Sequence, residues 1–394
     1  MFPVVAILGA RQCGKTTLSR ALRPDWLYVD LENPSDLHRV MHDPEFFLQQ
    51  NPQHVIIDEA QKVPQLFEIL RGVIDQARSQ KGRFILTGSS SPDLLKSISE
   101  SLAGRISTLE LGTFKANELV EKPLSTFYQL FEKKLDRNFF DHLGAPQLSA
   151  SQVQTAWFMG GYPEPVLSKQ KYFYTQWMEN YERNYIYRDI AALFPRLNKI
   201  AFQRFLSMLC KLSGTILNKV ELAHALEVSD SSVRDFLQIV TGTFLWRQLP
   251  VYTKSVSKSV LKMPKGHIRD TGLLHSLLRI EDIDALFRDP IVGHSFEGFV
   301  IEEILKGLNA TMVTHCDAFY YRTRSSAEVD MILEGPFGTL PIEIKYGVKT
   351  AADKLKHLEK FIENNHLPFG LIINQSKEAY WLSKTVFQLP ATYL

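Results

Sequence analysis

Apolar residues run along this chain in two rhythms. Within residues 1–115 short solid apolar runs alternate with amphipathic stretches. Residues 4–8, 55–57 and 84–86 are such runs, too short for helices, while 28–34 read as a second strand with its exit turn and 106–111 as a further strand. Such runs predict strands buried on both faces, and their alternation with helical periods predicts a doubly wound parallel α/β sheet. From Lys115 the pattern turns helical and aromatic, through Phe127, Tyr128, Phe131, Phe139, Phe140, Trp157 and Phe158. These aromatics are expected to pack a core and a domain boundary. A turn at 160–165 precedes a long aromatic helix expected over 172–193. Helical periods at 201–212, at 218–226 and from Ser231 lead into an extended basic stretch at 252–269. The last segment predicts a helix at 293–305, strands at 318–322, 327–333 and 340–346, a helix at 352–364 and a strand at 369–374. The expected domains are 1–115, 116–195 (a helical lid or connector), 196–280 and 281–394.

Chemistry enters at the first strand-to-helix junction. Gly9-Ala10-Arg11-Gln12-Cys13-Gly14-Lys15-Thr16 is a complete G-x-x-x-x-G-K-[ST] phosphate-binding loop, set between a predicted strand and a helix opening at Thr17. Backbone N–H groups of Gly14, Lys15 and Thr16 can cradle phosphate oxygens at the helix N-terminus. Lys15 can reach the outer phosphates, and the Thr16 hydroxyl can ligate Mg²⁺. Cys13 lies inside the loop, where a helix N-terminus and Lys15 favour a thiolate. The simpler reading is that the loop needed a small residue there. At the end of the predicted strand 55–57, Asp58 is placed to hold Mg²⁺, directly or through water. The next residue, Glu59, is placed to polarise an attacking water. The cofactors expected are therefore ATP and Mg²⁺.

Composition narrows the setting. At 394 residues and 45% hydrophobic content the chain has room for two or three ordinary globular domains. No apolar run approaches the ~20 residues that span a bilayer, so no membrane partner is expected. The start, Met1-Phe2-Pro3, does not read as a signal peptide. Cys13, Cys210 and Cys316 have no metal or disulfide spacing, which suits a reducing cytoplasm. The net charge of +2 hides an asymmetry. Counting Lys and Arg against Asp and Glu, residues 1–195 hold 21 and 22, residues 196–280 hold 13 and 5, and residues 281–394 hold 11 and 16, or −1, +8 and −5.

The +8 segment looks like a winged helix-turn-helix. Its third helix would carry Arg234, Gln238 and later Arg247, and the wing Lys254, Lys258, Lys262, Lys265 and Arg269. Such modules enter the major groove and grip phosphates, so residues 196–280 are a candidate DNA face. The same fold also serves as an ATPase lid or a protein-docking module.

On a strand, residues i and i+2 share a face, so Glu343 and Lys345 point the same way. Asp330 and Glu297 could join them in a second metal site able to activate water against a phosphodiester. That arrangement resembles the PD-(D/E)XK nucleases and implies a restriction-endonuclease-like C-terminal α/β domain. An ordinary solvent-facing Glu-x-Lys strand is the alternative.

Taken whole, the chain resembles the prokaryotic AAA+-type ATPases whose C-terminal half is a domain of unknown function. The resemblance rests on the phosphate loop, Ile57-Asp58-Glu59-Ala60-Gln61, Leu86-Thr87-Gly88-Ser89-Ser90, Leu102-Ala103-Gly104-Arg105, Gly160-Gly161-Tyr162-Pro163-Glu164, Arg188-Asp189-Ile190, Asp270-Thr271-Gly272-Leu273-Leu274 and the C-terminal Glu-Val-Asp and Glu-Ile-Lys. It implies that Thr87 or Ser89 senses the γ-phosphate between the two motif strands. It also implies that Arg105, after a helix expected from about Pro92 to Ala103, reaches a neighbouring subunit's nucleotide. That would require a homo-oligomer. Relatives usually carry a helical segment before the first strand, where this chain starts almost at the strand. Three functions remain open on these grounds: an ATP-driven switch acting on DNA, a nucleotide-gated protein-binding module with slow or no hydrolysis, and an ATP-licensed nuclease.

Overall fold

Five parallel strands form the first sheet: β1 (Val4–Gly9), β2 (Leu27–Asp30), β3 (Val55–Asp58), β4 (Phe84–Ser89) and β5 (Ile106–Leu111). They run in the order β2-β3-β4-β1-β5. The computed structural model describes residues 2–89, 101–168, 170, 172–190, 194, 197–253, 263–323, 328–348 and 352–394. The helix expected over 92–103 therefore falls largely outside the described residues. Every residue of β3 is buried, which is why its sequence runs apolar without alternation. The flanking helices start on side-chain caps: Asn33 accepts from the Ser35 amide before Pro34–His42, and Asp43 from the Phe46 amide before Pro44–Gln50. Val4, Val29, Val55, Ile57, Phe67 and Phe84 lie in the core between sheet and helices. Because β4 lies between β3 and β1, the C-terminal ends of all three strands share one edge, where open α/β sheets hold ligands.

Residues 1–113 with 237–245 form one compact unit, and 114–236 with 246–394 a second. The second holds two sheets. The smaller is antiparallel and ordered β6-β8-β7, from β6 (Thr215–Ile216), β7 (Trp246–Leu249) and β8 (Lys265–Ile268). Along the chain its strands are set among the helices Lys199–Lys211, Lys219–Leu226 and Asp230–Gly242. The larger comprises β9 (Asp317–Arg322), β10 (Glu328–Gly335), β11 (Gly338–Ile344), β12 (Gly370–Asn374), β13 (Tyr380–Trp381) and β14 (Val386–Pro390). Its order is β13-β14-β12-β11-β10-β9, antiparallel from β9 to β11 and parallel from β11 through β12 to β14. The last two strands were not among those anticipated.

Trp157 and Phe158 lie on the α-helix Ala150–Met159, but the aromatic stretch from Lys115 to His142 departs from the helical expectation. It folds as short 3₁₀ turns, Glu118–Val120, Thr126–Phe131 and Arg137–His142. Its rings still form core: Phe131 meets Phe337 edge-on at 5.0 Å and Phe140 stacks on Phe387 at 4.1 Å. Ring packing against the large sheet replaces the i, i+4 contacts that an amphipathic α-helix would have supplied. The long aromatic helix is α over Phe173–Asn180 and then winds as a π-helix over Tyr181–Asp189; residues 191–193 lie outside the described set.

Candidate functional site

Gly9 ends β1, and a Cβ there would stand 2.2 Å from the Leu111 carbonyl oxygen, so the neighbouring strand admits only glycine. The loop turns through left-handed conformations at Gln12 (φ 63°) and Gly14 (φ 99°), and Gly14 caps the helix Lys15–Leu22. This leaves the amides at the helix N-terminus without the last turn of a preceding element. Lys15 is buried, and its Nζ donates to the carbonyls of Ala10 at 2.8 Å and Gly9 at 3.3 Å. Those carbonyls are what a phosphate would compete with. Cys13 is buried and its thiol donates to the Leu111 carbonyl at 3.4 Å, so it packs as a small core residue. Arg11 is partly exposed, while Gln12 and Thr17 are exposed on the loop surface.

Asp58 is the hub. It is 4% exposed at the end of β3 and draws four donors, three of them from other segments. Oδ2 accepts the Thr16 hydroxyl at 2.6 Å and the Tyr28 hydroxyl at 2.8 Å. Oδ1 accepts the Thr87 hydroxyl and the Glu59 amide, the latter at 3.1 Å. The Thr16 and Asp58 oxygens are hard donors beside a phosphate loop, a set that fits Mg²⁺. Burial, followed by the Asp58 carboxylate, drives the Tyr28 phenol well above its usual pKa, so Tyr28 stays a donor. Tyr28 was missed from sequence. It sits on β2, next to β3, two residues before Asp30, which pairs with Asp58. Glu59 is held in a left-handed conformation (φ 54°), and its carboxylate accepts from the Gln61 amide group. Thr87 is thus gathered into the site; the side chain of Ser89 lies outside the described residues.

Arg105 lies elsewhere. Val4 and Ile106 are paired at the start of β1 and β5, and the Val4 amide donates to the Arg105 carbonyl. Arg105 is therefore at the opposite end of the sheet from Gly9, which pairs with Leu111, about 20 Å away at ~3.3 Å per residue. Its guanidinium forks onto Asp75, with both N···O distances 2.7 Å. The Arg105 hydrogen bond pulls the Asp75 pKa down.

In the second unit, Asp330, Glu343 and Lys345 come together and Glu297 stands one lysine away, in two lysine-centred clusters. Nζ of Lys265, on β8, lies 2.7 Å from Glu297, 2.9 Å from Glu328 and 3.5 Å from Asp330. Nζ of Lys345 lies 3.1 Å from Asp330 and 2.8 Å from Glu343, and Lys354 lies 3.5 Å from Glu343. Asp330 also accepts the Ile344 amide at 2.8 Å. Burial raises Glu297 to about 8 against the pull of Lys265, and raises Glu343 to about 7 with Asp330 adding to it. Among the described residues, no three His, Cys, Asp or Glu side chains gather as a metal-binding group. Buried acids this close repel one another, and lysines supply the compensating charge.

The same geometry corrects the basic face. Residues 254–262, which include Lys254, Lys258 and Lys262, lie outside the described set. Arg247 is on β7, not on the third helix, and it and Arg269 both pair with buried Glu302. Lys265 is internal, and Arg279 pairs with Glu182 at 3.0 Å. Much of the +8 is therefore neutralised by carboxylates from outside the segment. Lys199, Arg204, Lys211 and Arg234 remain exposed. No helix among the described residues is long and apolar enough to cross a membrane.

Three family models match the chain: an AAA domain over residues 1–120, a domain of unknown function (DUF8612) over 150–284, and a second one (DUF4143) over 292–394. The uncharacterized proteins Mb2031c of Mycobacterium bovis and Rv2008c of Mycobacterium tuberculosis are each 32% identical over 99% of this chain and 80% of their own length. Among solved structures, a point variant of Thermotoga maritima RuvB overlaps 66% of this chain and 87% of its own, at 14% identity and TM-score 0.31. The Aeropyrum pernix ORC1 protein in complex with DNA overlaps 70% and 86%, at 13% identity and TM-score 0.27. Structural overlaps this slight carry no functional weight.

Proposed function

This chain belongs to the family of the mycobacterial proteins Rv2008c and Mb2031c, and from that premise we propose that it is an ATP-hydrolysing molecular switch of the AAA+ class. The observation that carries the proposal is the Asp58 hub, where the phosphate-loop hydroxyl of Thr16 meets the β3 carboxylate. The loop amides and Lys15 hold the phosphates. Thr16 and Asp58 hold Mg²⁺, which when bound neutralises charge on the phosphate oxygens. Glu59 orients the attacking water, and Gln61 fixes the Glu59 carboxylate. Thr87 shares Asp58 with Thr16, so a change at the metal side is felt on β4. Arg105 acts on a neighbouring chain, since it stands at the far end of its own sheet.

Residues 197–270 follow a helix, strand, helix, helix, strand, strand order, which supports the winged-helix reading, and the helix Thr271–Leu277 comes after it. The internal pairing of Arg247, Lys265 and Arg269 favours a second reading of that module, in which its partner is a protein rather than DNA. Steady-state ATP turnover with and without duplex DNA, with Glu59→Gln as the blank, tests both. Turnover above the blank supports the switch, and severalfold stimulation by DNA supports a DNA partner. Turnover equal to the blank would overturn the hydrolytic reading. Turnover indifferent to DNA would leave the protein-docking form.

A further inference from the structure

The C-terminal carboxylates invite comparison with a metal centre, and the residues present do not fit one. Glu297, Glu328 and Asp330 reach toward a single point from the helix Val292–Asn309 and from β10. A divalent ion at that point would need oxygen ligands at roughly 2.0–2.6 Å. The point is taken by the Lys265 ammonium, whose three N–H donors match three acceptors.

Lys265 is not a wandering side chain. It is 5% exposed and lies on the central strand of its sheet, paired with Ile216 on one side and Leu249 on the other. The following Gly266 fixes the strand further, since a Cβ there would stand 2.4 Å from the Trp246 ring. The neighbouring acid, Glu343, is likewise met by Lys345 and Lys354. In front of these pairs lies an open cavity of about 580 Å³, lined among others by Lys265, His294, Arg322, Glu328, Lys345 and Tyr346.

We propose that Lys265 stands in the place of a divalent cation, so that the carboxylates around this cavity take no metal and do not cleave a phosphodiester. The inference is independent of the nucleotide reading of the first unit. Its test is Mn²⁺ binding without nucleotide, read from the EPR signal of free Mn²⁺. Wild type and Asp330→Asn are expected to bind the same number of ions. Lys265→Met, which keeps most of the aliphatic stem and removes the charge, is expected to bind one ion more. That ion should be lost again in Lys265→Met/Asp330→Asn. If wild type binds one ion more than Asp330→Asn, a metal enters beside the lysine and the proposal is overturned. A folded Lys265→Met that gains no ion overturns it equally, because the cluster is then not a cation position. Should Lys265→Met fail to fold, the comparison of wild type with Asp330→Asn still decides.

Discussion

At the scale of single residues, Tyr28 shows how a site is completed by a side chain that carries no motif. Its hydroxyl shares Oδ2 of Asp58 with Thr16, on the side where a metal ligand would stand. A hydrogen bond to a charged acceptor contributes about 1.5–3 kcal/mol. Tyr28→Phe should therefore leave ATP affinity nearly unchanged while raising the Mg²⁺ concentration for half-maximal turnover by about tenfold. A Mg²⁺ titration of turnover at saturating ATP checks this.

His275 supplies a second prediction. Its Nδ1–H donates to the Phe158 carbonyl at 2.9 Å, so Nε2 must accept the Ser295 hydroxyl at 2.6 Å. The same serine oxygen accepts from the Trp157 indole at 2.9 Å. A proton on Nε2 would leave two donors facing one hydroxyl. Burial lowers the His275 pKa from 6.5 to about 4. In acid the unfolded chain takes up the proton first. The contribution to stability is thus complete above pH 6.5 and declines as pH falls toward 4, by about 3 kcal/mol in all. Urea midpoints between pH 7 and 4.5 should fall less steeply in His275→Gln than in wild type.

At the scale of elements, the helix Val292–Asn309 organises the second unit. Its Ser295 faces His275 and Trp157, Glu297 faces Lys265, and Glu302 gathers Arg247, His267 and Arg269. Glu303 pairs with Lys115 at 3.2 Å and accepts the Ala116 amide at 2.9 Å. Burial works against the Glu302 charge, but Arg247 and Arg269 hold its pKa well below the usual range. Removing one member of such a buried network costs about 3–5 kcal/mol. Glu302→Gln should lower the thermal midpoint of the second unit accordingly, read by calorimetry.

That helix also marks where sequence reading stops. Strands β1, β3 and β4 were legible because each carries a solid apolar run between turns, and the phosphate loop because its spacing is covalent. The helix was legible as a helix. Of its buried acids Glu297 was singled out, but Glu302 and Glu303 were not, because their partners Arg247, Arg269 and Lys115 lie more than 30 residues away. Lys265 was read as part of a basic, phosphate-gripping wing, since nothing near it in sequence pairs it with Glu297 and Asp330. Strand β14 was missed although Val386 and Phe387 form an apolar run, because the run is short and Pro390 closes it; it pairs in parallel with β12 and antiparallel with the two-residue β13.

At the scale of the whole molecule, the place of Arg105 gives the plainest consequence. A chain whose candidate finger lies across its sheet cannot use it on its own nucleotide. Turnover per chain should rise with protein concentration and then level off. Arg105→Ala should turn over slowly at every concentration while still binding nucleotide. Equal specific activity in the mutant, or in dilute and concentrated wild type, would leave Arg105 as a partner of Asp75 alone.

The buried thiol in the phosphate loop has a use as a clock. Cys210 is buried and its pKa is pushed up to about 12; Cys316 is only partly buried, but burial and Asp317 raise it to about 11. Both thus hold little thiolate near neutrality. Cys13 can be alkylated only when the loop parts from β5, so its labelling rate reports the free energy of that opening. Mg-ATP should slow this label, located by mass spectrometry, and leave the Cys316 rate alone. An unchanged Cys13 rate would mean that the loop breathes as freely with its ligand as without it.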